Sequence, residues 1–405
     1  LKASKEENLE MIYDTIDYLR KHGIEVIFDA EHFFQGFKED SEYAMNVIRV
    51  AEEAGARVLV LADTNGGMMP WEVYDIVKNV VKNVNSVVGL HMHNDSGCAV
   101  ANTLIGVYAG ARHVQGTING IGERTGNADL TQVIPSIRFK LGFRVLKNDE
   151  NLKKLRDVSN LVYKITNTLP NPYQPYVGEF AFAHKGGVHV DAVLKNPKAY
   201  EHIDPEVVGN SRKFIISELG GAANIVAILK DFGINVDKKD DRIKRIIAKI
   251  KNLEKQGYTF DKAAASAVLI ALKELGYGGN GVNKFSWTVF SSSMGVSVAV
   301  VDVDNIVSKD VGIDPVNALV NALLDSVKRA YSIDNDLKIS IEISLLQDKM
   351  FRVTISFNNK YLSWSTQAVS LNIFDAIAKA VIDGLEYYNI LKSMKFNNKT
   401  FGLRG

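Results

Sequence analysis

SVVGLHMHNDSGCAVANTLIGVYAGARHVQGTI, residues 86–118, reads as one complete β-α-β unit. A β-branched run, SVVGLHMH (86–93), leads into AVANTLIGVYAG, whose apolar residues recur every three or four positions, and then into a second run, ARHVQGTI (111–118). The alternation extends towards the N-terminus. IEVIFDA (24–30) and ARVLVLAD (56–63) are strand-like, whereas EYAMNVIRVAEEAG and PWEVYDIVKNVVKNV are helical. Strand starts about 25 to 33 residues apart match one β-α unit with its loops, and that alternation predicts a parallel sheet. Each strand ends in polar residue types: Asp29 and Glu31, Asp63 and Thr64, His91 and His93, then Asn119 and a glycine-rich loop. Sites in parallel α/β folds lie at the carboxyl ends of the strands, so these four endings predict one shared mouth. A doubly wound sheet and a (β/α)8 barrel both accommodate the pattern.

The 405 residues predict two to three domains, and 46% hydrophobic content is enough for each to bury a core. Charges are balanced, 48 Lys and Arg against 47 Asp and Glu, which argues against a nucleic-acid binder. No apolar run approaches the length of about 18 residues that a membrane span needs. The single cysteine, Cys98, excludes an intrachain disulfide and a cysteine-based zinc site, and a reducing, cytoplasmic setting is expected. All eight histidines lie in the first half of the chain. Imidazole chemistry, if present, belongs there.

From about 150 to 275 the texture is helical, interrupted by a loop-rich insert, LPNPYQPYVGEFAFAHKGGVHVDAVLKNPKAYEHIDPEVVGN, dense in Pro, Gly, His and aromatics. The charged stretch VDKKDDRIKRIIAKIKNLEKQ is expected to form a solvated helix face. After Gly281 strand patterns (KFSWTVFSSS, VSVAVVDV, LKISIEISLL, MFRVTISFNN) precede two helices, a strands-then-helix unit occurring twice. The expected domains are 1–142, 143–280 and 281–405, the last without histidine or cysteine and suited to binding or assembly.

Four constellations could carry chemistry. His91 and His93, two apart on a strand, face the same side and can hold a divalent cation, or form a hydrogen-bonded pair. Gly120-Ile121-Gly122-Glu123-Arg124-Thr125-Gly126-Asn127 reads as a phosphate cradle or a tight turn, and Asn127 is placed to offer an oxygen to the same cation. Glu31 closes an apolar strand that is expected to be buried, before His32 and two phenylalanines, an environment that raises a carboxyl pKa for proton transfer, unless it pairs with an arginine. Thr64 reads as a carboxylate donor or a strand cap. His189, with His184, Asp191 and Tyr200, lies on a glycine-hinged loop able to supply acid and base if it folds over the mouth. His22, His113 and His202 read as structural, and Cys98 as a small packing residue at a helix start.

FDAEHFFQGFK, LADTNGG, HMHNDSGCAVAN, GTINGIGERTGNADL and AFAHKGGVHVDAVLKNPKAYEHIDPEVVGNSRKFIISELGG, in that order, resemble the family that condenses acetyl-CoA with 2-oxo acids, the 2-isopropylmalate, homocitrate and citramalate synthases. The resemblance runs end to end, and the first and last stretches are most similar to the citramalate branch. It implies a (β/α)8 TIM barrel followed by helical linker subdomains and an α+β regulatory domain. It also implies a divalent metal (Mn, Mg or Zn) held by His91, His93 and an Asp with Asn127 nearby, Thr64 on the 2-oxo acid carboxylate, and Glu31, His189 and Tyr200 as catalytic groups. Acetyl-CoA and pyruvate are the implied substrates, isoleucine the implied feedback inhibitor and a homodimer the implied assembly. Which residue is the enolising base stays open. The family's Asp-Thr-x-Leu-Arg-Asp-Gly opening motif does not occur here, so the expectation is a chain holding the C-terminal half of the barrel and having little activity by itself. The alternatives are a 2-isopropylmalate synthase, a non-catalytic amino-acid-binding fragment, and a metal-dependent aldolase or lyase.

Overall fold

The computed structural model describes residues 3–215, 221–277, 281–331, 337–360 and 362–394. The chain divides into two compact units, one of residues 1–181 with 203–210 and the other of 182–202 with 211–405.

In the first unit, helix α1 (Lys5–Lys21) is started by a capping box in which Ser4 Oγ accepts from Glu7 N and the Glu7 carboxylate accepts from Ser4 N. Then follow β1 (Ile27–Ala30), α2 (Phe33–Glu39), α3 (Ser41–Glu53), β2 (Val58–Asp63), α4 (Pro70–Asn83), β3 (Val87–Met92), α5 (Ala99–Ala109), β4 (His113–Gln115), α6 (Leu130–Lys140) and α7 (Leu155–Ile165). The strands pair in parallel in the order β1-β2-β3-β4. Right-handed crossovers that always advance in one direction put every helix on the same face of the sheet. A doubly wound sheet reverses direction at a switch point. The sequential order therefore selects the barrel type.

All six residues of β2 are buried, and Leu59, Leu61, Leu90 and Met92 pack with Ile48, Val73 and Val77 from the helices. Close strand approach requires Gly89, where a Cβ would lie 2.9 Å from both the His113 ring and Val60. His113, half-buried, thereby packs against the strand at Gly89. The sequence reading of β1 as a buried apolar strand is corrected, because β1 lies at the edge of the described sheet with Ile27 and Asp29 exposed.

In the second unit the short strands β5 (Ala183–His184) and β6 (Lys213–Phe214) pair in parallel, with α8 (Gly187–Lys195) between them. Helices α9 (Gly221–Asp231), α10 (Asp241–Lys255) and α11 (Ala264–Glu274) follow. As expected, α10 is a solvated helix that buries only Ile243, Ile246 and Ile250. Two three-stranded antiparallel sheets, each followed by a helix, complete the unit: β7 (Phe285–Ser291), β8 (Ser297–Val303), β9 (Ile306–Gly312) and α12 (Pro315–Tyr331), then β10 (Lys338–Leu345), β11 (Phe351–Asn358), β12 (Ser363–Ser370) and α13 (Ile373–Ser393). Alternate residues of β8 (Ala299, Val301, Val303) and β11 (Val353, Ile355, Phe357) are buried in one core with both helices, the period-two signature of a half-buried strand. The duplication was legible, but β9 and β12 were not. Their Lys309-Asp310 and Ser/Thr-rich sequences lack the apolar alternation that marks the other strands.

Near the start of α13's second half, Glu386 is buried and paired with Lys273 at 2.7 Å. Asp383 lies beside it. Burial pushes the Asp383 carboxyl up to about 6, against the pull of Lys273 and with the repulsion of Glu386. Its folded pKa lies above the unfolded value, so ionisation costs stability as pH rises through that range. Asp383→Asn is expected to stabilise the protein above pH 6 by about 1 kcal/mol, a figure discounted because 37% of the side chain is exposed. The gain shrinks below about pH 4, where folded and unfolded states are both protonated. Urea unfolding at the two pH values checks this, and an equal gain at both would refute it.

Candidate active site

The carboxyl ends of β1 to β4 bring together Asp29, Thr64, His91, His93, Asp95, Gln115, Arg124 and Asn127. His91 faces Gln115 across the β3–β4 register, and His93 continues beyond β3 into a bridge with Asn127. The two imidazoles are neighbours, with ring centroids 5.3 Å apart.

The state of His91 follows from a chain of bonds. A carboxylate only accepts, so Asp29 Oδ1 fixes the NH2 of Gln115 towards itself at 3.0 Å. Gln115 Oε1 must then face His91 Nδ1, at 2.7 Å. Nδ1 therefore carries the ring hydrogen and Nε2 presents its lone pair, here towards the Asn127 carboxamide at 3.2 Å. A ring nitrogen hydrogen-bonded behind and a lone pair in front is the arrangement of a metal-ligating histidine.

Arg124 closes the other side of the mouth. Its Nε and Nη2 donate to Asp95 Oδ1 and Oδ2 at 2.7 and 3.0 Å, and Nη2 also reaches Thr64 O at 2.8 Å and His93 Nδ1 at 3.2 Å. Burial first, then His91 and Arg124, hold the His93 imidazole below its usual pKa. Thr64 Oγ1 accepts the backbone N–H of His32 at 2.7 Å, which leaves the hydroxyl hydrogen available to an anion. His32 adopts φ 56°, the left-handed turn that ends β1.

Loop 120–127 owes its shape to its glycines. Gly126 has φ 94°, and a Cβ there would collide with Gly120 O; one on Gly122 would collide with Asn127 Oδ1. A buried network anchors the loop's flanks: Gln174 Nε2 donates to Asp129 Oδ2 at 2.8 Å, and Asn119 bonds Ser159 through both its amide atoms. Gly122→Ala is expected to displace Asn127 and lower kcat/KM by about 10² while lowering the unfolding free energy by less than about 1 kcal/mol. Steady-state kinetics beside a melting curve tests the split, and equal loss of both refutes it.

Glu31 differs from expectation. It is exposed, one residue past β1, and Phe33 and Phe34 pack into the core instead of lining its carboxylate. The expected apolar environment is absent, because the left-handed turn at His32 sends the two phenylalanines inward. Among the described residues no arginine pairs with Glu31.

His189 and Tyr200 lie together in the second unit, ring centroids 4.4 Å apart and both exposed. The glycines before His189 start α8 instead of forming a free loop, so His189 stands in its first turn. His184 is structural. It is buried and its Nε2 meets Glu201 Oε1 at 3.0 Å, while Arg212 donates to both Glu201 oxygens at 2.6 and 2.5 Å. His22 rests on Tyr18 and His202 on Phe182. Sequence reasoning missed Gln115 and the reach of Arg124. The signal for Gln115 was a polar side chain at the end of the strand next to His91.

Among the described residues no three or more His, Cys, Asp or Glu side chains converge on a point. The donors fit part of a divalent-cation shell with His91 held from behind, provided that the Asn127 carboxamide, whose NH2 faces His91 Nε2, turns to offer its oxygen and Arg124 leaves His93.

A one-directional parallel sheet with histidines and a glycine-rich loop at its carboxyl mouth defines an enzyme of the α/β-barrel class. Residues 1–162 match the HMGL-like family and residues 176–258 the Homocitrate synthase post-HMGL domain-like family. Across 98% of its length the chain is 51% identical to an (R)-citramalate synthase of Sulfolobus acidocaldarius, covering 78% of that protein, and across 96% it is 45% identical to one of Aquifex aeolicus, covering 76%. A 2-isopropylmalate synthase of Methanocaldococcus jannaschii is 33% identical over 95% of the chain and 74% of its own length. The chain belongs to the (R)-citramalate synthase family, which makes it an acyltransferase.

Proposed function

We propose that the protein condenses acetyl-CoA with pyruvate and hydrolyses the thioester, giving citramalate and CoA. The observation that carries this is the near full-length likeness to (R)-citramalate synthases, 36 to 51% identical over at least 96% of the chain. In this reading His91, His93 and the Asn127 oxygen would hold a divalent cation, Mn, Mg or Zn, whose bound form supplies Lewis-acid polarisation of a keto carbonyl. The Thr64 hydroxyl donates to the pyruvate carboxylate. Glu31, His189 and Tyr200 serve as the acid and base groups. A base takes a proton from the acetyl methyl, the new carbanion forms a bond to the keto carbon, the keto oxygen gains a proton, and water releases the CoA thiol. Exposure of Glu31 and His189 suits groups that exchange protons with solvent between turnovers.

Residues 281–405 serve as the regulatory and dimerising part of a cytoplasmic enzyme of isoleucine biosynthesis, with isoleucine as inhibitor. Support comes from the repeated sheet-and-helix unit, which carries no histidine or cysteine. Among the described residues no helix is long and apolar enough to cross a membrane. Thiol release measured with pyruvate, 2-oxoisovalerate and 2-oxoglutarate tests the substrate, pyruvate being expected to give the highest kcat/KM. Preference for 2-oxoisovalerate would instead favour a 2-isopropylmalate synthase.

A further inference from the structure

Opposite hydrogen-bond partners impose opposite tautomers on the two site histidines. His91 donates from Nδ1 to Gln115 and keeps a lone pair on Nε2. His93 Nδ1 instead faces Arg124 Nη2 at 3.2 Å. A guanidinium only donates, so Nδ1 of His93 is the bare nitrogen and the ring hydrogen sits on Nε2. While that contact lasts, neither nitrogen of His93 has a lone pair to give.

We infer that Arg124 competes with a divalent cation for His93, so that loading the site requires the guanidinium to let go of the imidazole. The inference rests on the cation reading of His91, His93 and Asn127 proposed above.

The contact is built to yield. Nη2 has two hydrogens but three acceptors, Thr64 O at 2.8 Å, Asp95 Oδ2 at 3.0 Å and His93 Nδ1 at 3.2 Å, the last being the longest. Asp95 binds the guanidinium in a two-pronged pair, so Arg124 has a resting place once His93 is released. Arg124 itself sits at φ 54° between Gly122 and Gly126, a left-handed position that costs a non-glycine residue on the order of 1 kcal/mol and is kept only where the surroundings hold it. Its bonds to Asp95, Thr64 and His93 are what hold it.

Calorimetric titration of the protein with Mn2+ tests the competition. Arg124→Gln is expected to bind Mn2+ more tightly than the unaltered protein, in part because it leaves Asp95 as an unbalanced negative charge. Asp95→Asn combined with Arg124→Gln restores the net charge of the original pair. A gain that survives in this double variant comes from the freed imidazole, and about a tenfold lower Kd is expected there, corresponding to about 1.4 kcal/mol. Nitrogen-15 NMR of histidine-labelled protein without Mn2+ provides the second readout: His93 is expected to show a bare Nδ1 and a protonated Nε2, a preference lost in both variants. Equal Mn2+ affinity in the unaltered protein and the double variant, or a gain confined to the single variant, overturns the competition while leaving the cation reading in place. Absence of Mn2+ binding from every form removes the cation reading and the competition with it.

Discussion

Replacing His91 with alanine is expected to lower kcat/KM by about a thousandfold, and replacing Gln115 with leucine, which touches no substrate in this reading, by about 10- to 100-fold. The two losses have different causes. His91→Ala removes the ring whose Nε2 points into the mouth. Gln115→Leu leaves the ring in place but deletes the acceptor that holds the hydrogen on Nδ1, so the imidazole is free to carry it on Nε2, where the lone pair is needed. Asp29→Asn should give a smaller loss, because an asparagine can donate as well as accept and no longer fixes which way the Gln115 amide faces. Neither Gln115 nor Asp29 is buried, so the melting temperature is expected to move little. Thiol-release kinetics across the three variants gives the ranking. A Gln115→Leu protein as active as the unaltered one would remove the tautomer argument.

The largest stability effect is expected in the second unit, where Phe357→Ala should cost about 3 to 5 kcal/mol. Phe357 is fully buried and lies flat on Trp364, with ring centroids 5.2 Å apart and planes 9° apart; Trp364 in turn stacks on Tyr388 at 4.9 Å. Trp364 Nε1 donates to Gly384 O at 2.9 Å, which ties β12 to α13. The helix passes so close that a Cβ on Gly384 would collide with the Phe357 ring. Gly384→Ala should therefore also destabilise, by about 1 to 3 kcal/mol through overpacking. Since the two residues share one space, Gly384→Ala combined with Phe357→Leu should lose less than the sum of the single changes. Chemical denaturation followed by tryptophan fluorescence measures the cycle, and strict additivity would show that the close approach does not govern the packing.

The two families of residues differ in how far they were visible beforehand. His91 and His93 were legible because a strand has period two, which puts both on one side whatever surrounds them. Asn127 was legible because its loop follows the adjoining strand. The environment of Glu31 was misread: local sequence showed neighbouring phenylalanines but not the left-handed turn at His32 that points them inward. Gln115 and Arg124 acquire meaning only through partners elsewhere, Asp29 at 86 residues from Gln115 and Thr64 at 60 from Arg124.

By itself the sequence determined that this protein alternates strand and helix, that polar residue types gather at the strand ends, and that a repeated sheet-and-helix module follows. Those features are set by backbone periodicity, which each segment expresses locally. Only the tertiary structure decided that the strands run β1-β2-β3-β4 in one direction, that Glu31 faces solvent, and that Nδ1 of His91 meets Gln115 while Nδ1 of His93 meets Arg124. Strand order and tautomer depend on which distant groups meet. That is settled by packing and hydrogen-bond direction across the fold, and no local pattern encodes it.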